Sequence, residues 1–134
     1  MELDNRKIKE EDLCQAIVCK SNETVFEIAN ILKELKVRHL VVVDENDYPI
    51  GFVSQTDLIE KVLAEDKSPK EITVKEVMIL DIVTVELGET YEKAYEKMYD
   101  IRTFSIPVVK DKKLVGVLDF NALVDCVEHC GVKK

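Results

Sequence analysis

The chain has 134 residues, a length within the range of a single domain and too short to hold a large multidomain enzyme. Apolar residues make up 46% and charged residues 34%, with four Gly and three Pro, which supplies a core and argues against a disordered or linker-like chain. The 19 basic against 27 acidic residues give a formal charge of -8, a balance that disfavours nonspecific nucleic-acid or anionic-membrane binding.

Residues 1–12 read as a charged lead-in, a short helix or a frayed end, too polar for a signal peptide. With no apolar run of membrane-spanning length, the expectation is a cytoplasmic protein that does not enter the membrane. Residues 13–64 form the first structural unit. Ala16–Cys19 is a short apolar strand, and Ser21 or Asn22 can cap the helix that follows. That helix runs from about Thr24 to Lys36, because Val25, Ile28, Ile31, Leu32 and Leu35 recur at steps of three and four and give one buried stripe. Leu40–Val43, a turn of Asp44–Asp47 and Ile50–Val53 read as a hairpin, its first strand apolar enough to be covered on both faces. A second helix over Thr56–Ala64 closes the unit.

Residues 65–75 are a polar connector with Pro69. Residues 76–130 then repeat the plan: strand Ile82–Val85, helix Thr90–Tyr99, strand Ile106–Val109, turn Lys110–Lys113, strand Leu114–Leu118 and a helix from Asn121 to about Cys130, with 131–134 as a tail. The repetition is visible residue by residue. An offset of 66 matches Thr24 with Thr90, Ile28 with Ala94, Leu32 with Met98 and Val42–Val43 with Val108–Val109; it shortens to 65 past the turn, where Gly51 matches Gly116. A β-α-β-β-α unit of this size buries its apolar surface poorly alone, so the two copies are expected to share a core.

Few residues carry chemistry. Cys14, Cys19, Cys126 and Cys130 are too sparse for a disulfide framework and read as apolar fillers or free thiols. Cys126 and Cys130 share a helix face but His129 points away from it, so no metal site is expected. Ser54-Gln55-Thr56-Asp57 follows a strand and opens a helix. Its plainer reading is a capping box, Ser54 on the Asp57 N–H and the Asp57 carboxylate returning to the Ser54 N–H. Its sharper reading is a polar mouth at a helix N-terminus, where Asp57 accepts from a vicinal diol while Ser54 and Thr56 meet a phosphate. No nucleophile, base and orienting group occur together, so catalysis is not expected.

The succession E-T-V, amphipathic helix, V-R-H-L-V-V-V-D, turn, G-F-V-S-Q-T-D resembles the CBS domain family, and V-K-E-V-M-I-L-D-I-V-T-V, E-T-Y and S-I-P-V-V-K-D-K-K-L-V-G-V-L fit the same plan in the second copy. The resemblance implies an α/β (α+β) fold of two CBS units packed with pseudo-twofold symmetry, a tandem often called a Bateman module. In many relatives its two clefts bind AMP, ADP, ATP or S-adenosylmethionine on behalf of a partner. Carried over, Asp57 is the ribose-binding carboxylate, Ser54 and Thr56 the phosphate-side contacts, and Val18, Cys19, Val37, Arg38 and His39 the base-holding wall, with Arg38 also a phosphate counter-charge.

The first copy departs from the family at Val41, where the second has Pro107, and at Val18, where the second has Thr84. Losing the proline is expected to relax the backbone at the cleft wall. The second copy departs more, since Asp119 falls where Ser54 does and Ala122 where Asp57 does; Thr84 and Arg102 are what it retains for a ligand. One competent and one weakened cleft are therefore expected. The resemblance implies a standalone regulatory module acting on a separate effector protein, the alternative being a structural or protein-interaction module without tight nucleotide binding. A homodimer is expected too, with Tyr91, Tyr95 and Tyr99 offering ring surface.

Overall fold

A computed structural model describes residues 6–103 and 105–119. The expected final helix Asn121–Cys130, with Ala122, Cys126, His129 and Cys130, and the tail 131–134 lie outside the described residues.

The first unit contains strand β1 (Val18–Cys19), helix α1 (Val25–Leu35), strands β2 (His39–Val43) and β3 (Pro49–Ser54), then helix α2 (Gln55–Leu58) running into a π-helical stretch over Ile59–Leu63. Thr24 caps α1, and not Ser21 or Asn22. It stands three residues before Glu27, so its hydroxyl accepts from the Glu27 N–H at 3.2 Å while the Glu27 carboxylate accepts from the Thr24 N–H at 2.9 Å. The helix ends at Lys36, whose backbone turns left-handed at φ 56°. Val25, Ile28 and Leu32 are buried as their spacing predicts, but Leu35 at the end of the stripe is 52% exposed.

The sheet order is β1-β2-β3, with β1 parallel to β2 and β2 antiparallel to β3. Every residue of Leu40–Val43 is buried, as the unbroken apolar run required. The second sheet repeats this as β4 (Val85–Glu86), β5 (Ser105–Lys110) and β6 (Lys113–Asp119), with helix α4 (Tyr91–Ile101) between its first two strands. The first strand of each copy is shorter than the sequence indicates. Val41 accounts for a difference between the copies, because its N–H donates to the Ile17 carbonyl at 3.0 Å, a bond Pro107 cannot make. The substitution therefore ties β1 down and does not relax it.

The chain divides into two compact units, one running from Ile17 to Ile82 and the other joining the residues up to Ala16 with those from Val83 onward. The core of the first includes Val74 and Val77 from helix α3 (Val74–Val77) beside Ile28, Leu32, Leu40, Val42 and Val53; the core of the second includes Ile8 beside Tyr91, Met98, Ile106 and Leu118. The described part of the charged lead-in, from Arg6 on, is thus a packed segment with a short 3-10 helix, Glu10–Asp12, and Ile8 is only 2% exposed.

The leading segment of each copy lies on the body of the other, by the same bonds. The Val25 N–H donates to the Ile72 carbonyl and the Val74 N–H to the Glu23 carbonyl, both at 2.8 Å. Sixty-six residues away, the Tyr91 N–H donates to the Arg6 carbonyl and the Ile8 N–H to the Glu89 carbonyl, again at 2.8 Å. The bonds from Val25 and Tyr91 satisfy first-turn N–H groups that α1 and α4 leave without intrahelical partners. Farther along, Ile79 bridges Phe52 and Cys14 bridges Val117. The glycines of the repeated signature stand at these crossings. A Cβ on Gly51 would lie 2.6 Å from the Ile79 carbonyl oxygen, and one on Gly116 would lie 2.9 Å from Leu13 Cβ.

Candidate functional site

Strand β3 ends at Ser54, which is also the cap of α2, so the strand-to-helix corner fixes the side chains expected to bind a ligand. The capping box forms. The Asp57 N–H donates to Ser54 Oγ at 3.3 Å, while Asp57 Oδ2 accepts from the Ser54 N–H at 2.8 Å and from the Ser54 hydroxyl at 3.0 Å. Among the described residues Asp57 is the one charged side chain that is buried, at 5% exposure. Its other oxygen, Oδ1, faces Lys61 Nζ at 3.1 Å. An ionised carboxylate offers about four acceptor positions. Among the described residues three are occupied, leaving one for a further donor.

The β2–β3 register places His39 opposite Ser54, and the Gln55 N–H donates to the Arg38 carbonyl at 2.9 Å. The Gln55 side-chain amide also reaches the Val37 carbonyl at 3.4 Å. Val37, Arg38 and His39 therefore gather at the corner with Ser54, Thr56 and Asp57. The Arg38 and Thr56 side chains are exposed and His39 is half-buried. Ser54 differs from the phosphate-side expectation in that its hydroxyl is already donor to and acceptor from Asp57.

Val18 and Cys19 part company. Val18 pairs with Val41 and is exposed, on the sheet face that His39 shares by strand alternation, whereas Cys19 pairs with Val42 and its side chain sits in the core. Burial pushes the Cys19 thiol up to about 12, with Glu23 adding a smaller push in the same direction. It is an inert core thiol, and only its backbone is available to line a wall.

In the second copy, Asp119 closes β6 opposite Ser105, and the position of Ala122 lies outside the described residues. The Thr84 carbonyl accepts from Lys97 Nζ at 2.8 Å. Lys97 occupies the place of Ile31 in the first copy, so the two corners differ in charge as well as in the residues noted in the sequence. Arg102 ends α4 in a left-handed conformation with its side chain exposed.

Tyr91 is 2% exposed and belongs to the second core, which corrects its expected place in a ring surface for a partner. Tyr95 and Tyr99 are exposed, their rings stacked with centroids 6.3 Å apart. Among the described residues no cluster of three or more potential metal ligands occurs, and no helix is long and apolar enough to cross a membrane.

The residue that sequence reasoning missed is Lys61. Its signal was present, since Asp57 and Lys61 stand four apart on a helical segment, the spacing at which opposite charges meet.

Known proteins are similar to this chain in sequence and fold. An uncharacterised protein of Methanopyrus kandleri is 34% identical over 103 residues, 76% of this chain and 53% of its own length. The chain spans about half the length of such curated relatives. Among solved structures, an uncharacterised conserved protein from Pyrococcus horikoshii superposes with a TM-score of 0.79 at 21% identity, covering 96% of both chains. A CBS domain pair in complex with 5-methylthioadenosine and S-adenosyl-L-methionine superposes with a TM-score of 0.78 at 25% identity, covering 93% of this chain and 98% of its own. Residues 11–64 and 74–129 both match the CBS domain, and the chain is a member of that family, carrying two copies of a regulatory, non-catalytic module.

Proposed function

We propose that the corner around Asp57 binds an adenosine-containing ligand, AMP, ADP, ATP or S-adenosylmethionine, and that occupancy is signalled to a separate partner protein. The observation that carries this reading is a buried carboxylate with one acceptor position left among the described residues, in a corner that also gathers an exposed arginine and a half-buried histidine. Asp57 takes the ribose, Arg38 and Thr56 meet the phosphate, and Val18, Val37 and His39 hold the base. The likeness to a pair solved with two adenosyl ligands supports the ligand class. We place the protein in the cytoplasm as a homodimer with the CBS units bounded at 13–64 and 76–130, and sedimentation tests the dimer.

A thermal-shift screen of the wild type and Asp57→Ala against the four ligands tests the reading. Losing the acceptor leaves diol hydroxyls unpaired, costing about 1–3 kcal/mol, or about five- to a hundredfold in affinity. Stabilisation present in the wild type and lost in the variant supports the sensor; no shift with any compound sinks it. A second reading, a protein-interaction module without tight nucleotide binding, is favoured by one observation: Ser54 and Asp57 already satisfy each other, and Lys61 takes much of what is left.

A further inference from the structure

Lys61 does more than neutralise Asp57. Its Nζ lies 3.1 Å from Asp57 Oδ1 and donates to the Val77 carbonyl at 2.8 Å. Val77 is the last residue of α3, a four-residue helix whose final carbonyls have no intrahelical donor, so the ammonium supplies a partner that the helix cannot. Two residues on, Ile79 exchanges both backbone hydrogen bonds with Phe52, N–H to carbonyl at 2.8 Å and carbonyl to N–H at 3.0 Å. One side chain thus joins the carboxylate of the candidate site to a segment that is laddered onto β3.

We propose that Lys61 is a positioning residue that couples the state of the Asp57 carboxylate to the docking of residues 73–79 on the first sheet. The ammonium is held by two anchors, Oδ1 and the Val77 carbonyl, and each restricts the side chain for the other. A ribose diol needs two acceptor positions at a carboxylate that has one to spare, so its second hydroxyl displaces Lys61 from Oδ1. Freed of that anchor, Lys61 holds Val77 less, and the Phe52–Ile79 pair opens more often. The identity of the displacing group rests on the nucleotide reading above; the coupling itself does not.

Native-state amide exchange on the full chain, without ligand, tests the coupling through a double-mutant cycle of Asp57→Asn and Lys61→Met. Lys61→Met is expected to speed exchange of the Phe52 and Ile79 amides about tenfold, a cost of about 1.4 kcal/mol in local stability, with Lys61→Arg staying near the wild type. Asp57→Asn keeps the side-chain shape and still accepts from Ser54, yet it is expected to speed the same two amides. The double variant should exchange no faster than Lys61→Met alone. If Asp57→Asn loosens only Gln55–Leu58, or if the two effects multiply in the double variant, the coupling is refuted and Asp57 is a helix cap alone.

With ADP as the probe, Lys61→Met should bind several-fold more tightly than the wild type because Oδ1 is vacant; equal affinity refutes the displacement. If the ligand-free cycle behaves as stated while none of the four ligands shifts the melting of the wild type, the nucleotide reading fails and the coupling stands. Ligand binding with an additive cycle fails the coupling alone.

Discussion

Replacing Gly51 by alanine should pry the leading segment of the second copy off the first sheet. The added Cβ would lie 2.6 Å from the Ile79 carbonyl oxygen, with the Met78 sulfur at 3.4 Å and the Ile79 carbonyl carbon at 3.5 Å. The obstacle is backbone, which cannot swing aside like the end of a flexible side chain. Ile79 must retreat by several tenths of an ångström, stretching its bonds of 2.8 and 3.0 Å to Phe52 beyond good geometry. Overpacking of this kind costs about 1–3 kcal/mol. Gly116→Ala is the internal comparison. Its Cβ meets Leu13 Cβ at 2.9 Å and Leu13 Cδ1 and the Cys14 oxygen at 3.0 Å, a milder conflict partly with a side chain that can turn. Urea unfolding of the two variants beside the wild type should rank Gly51→Ala as the more destabilised, and the Ile79 amide should exchange faster in that variant. Equal stability in both variants, or Gly51→Ala within about 0.5 kcal/mol of the wild type, would refute the idea that these glycines exist to admit the crossing backbone.

Three further outcomes are expected. Tyr91→Ala removes a buried ring and should cost about 3–5 kcal/mol, whereas Tyr99→Ser, at a ring 72% exposed, should leave melting within a degree or two; similar losses in both would contradict their placement. At pH 8, alkylation followed by peptide mapping should label Cys14 and spare Cys19 until the chain unfolds, since Cys14 is exposed and Cys19 is buried with its thiol pushed up to about 12; rapid labelling of Cys19 in the folded protein would show that the core is misread. Glu76 accepts from the Thr73 N–H at 2.9 Å and from its hydroxyl at 3.2 Å, which with Lys67 nearby holds its carboxyl below the ordinary 4.5. Its contribution is therefore complete above that ordinary value and vanishes as pH falls through the depressed one, so the melting gap between the wild type and Glu76→Gln should close under acid; a gap constant from pH 7 to about pH 3 would contradict it.

The periodic parts of the fold were legible because burial imposes periodicity. Val25, Ile28 and Leu32 announce one face of a helix, and Leu40–Val43 a strand with both faces covered. The repeat told which elements recur. Less visible was where a repeat begins, because Ile8-Lys9-Glu10 and Val74-Lys75-Glu76 match at the same offset of 66 but stand among charged neighbours that read as a lead-in and a connector. Tyr91 was misplaced since its i,i+4 relation to Tyr95 says that the rings are near each other on a helix, not which of them meets the core. At the site, the Ser54–Asp57 box was readable from spacing. The Lys61 ammonium on the Val77 carbonyl was not, as it joins residues 16 apart through a turn in the chain that no local pattern encodes.

The exchanged leading segments also impose an order on assembly during synthesis. By the time Ile82 has emerged from the ribosome, the described residues of the first core, from Ile17 to Met78, have been made, and that core can close. Ile8 and Leu13 have emerged long before, yet their partners, Tyr91 and Leu118 among them, come last. Closing the longer loop is cheap at equilibrium, since each doubling of loop length adds only about 0.6 kcal/mol. The delay is one of sequence and not of energy: a segment made before the first unit finds its place only after it, and a pause in translation after Ile82 leaves one finished unit preceded by a charged segment whose apolar anchors, Ile8 and Leu13, have nothing to pack on.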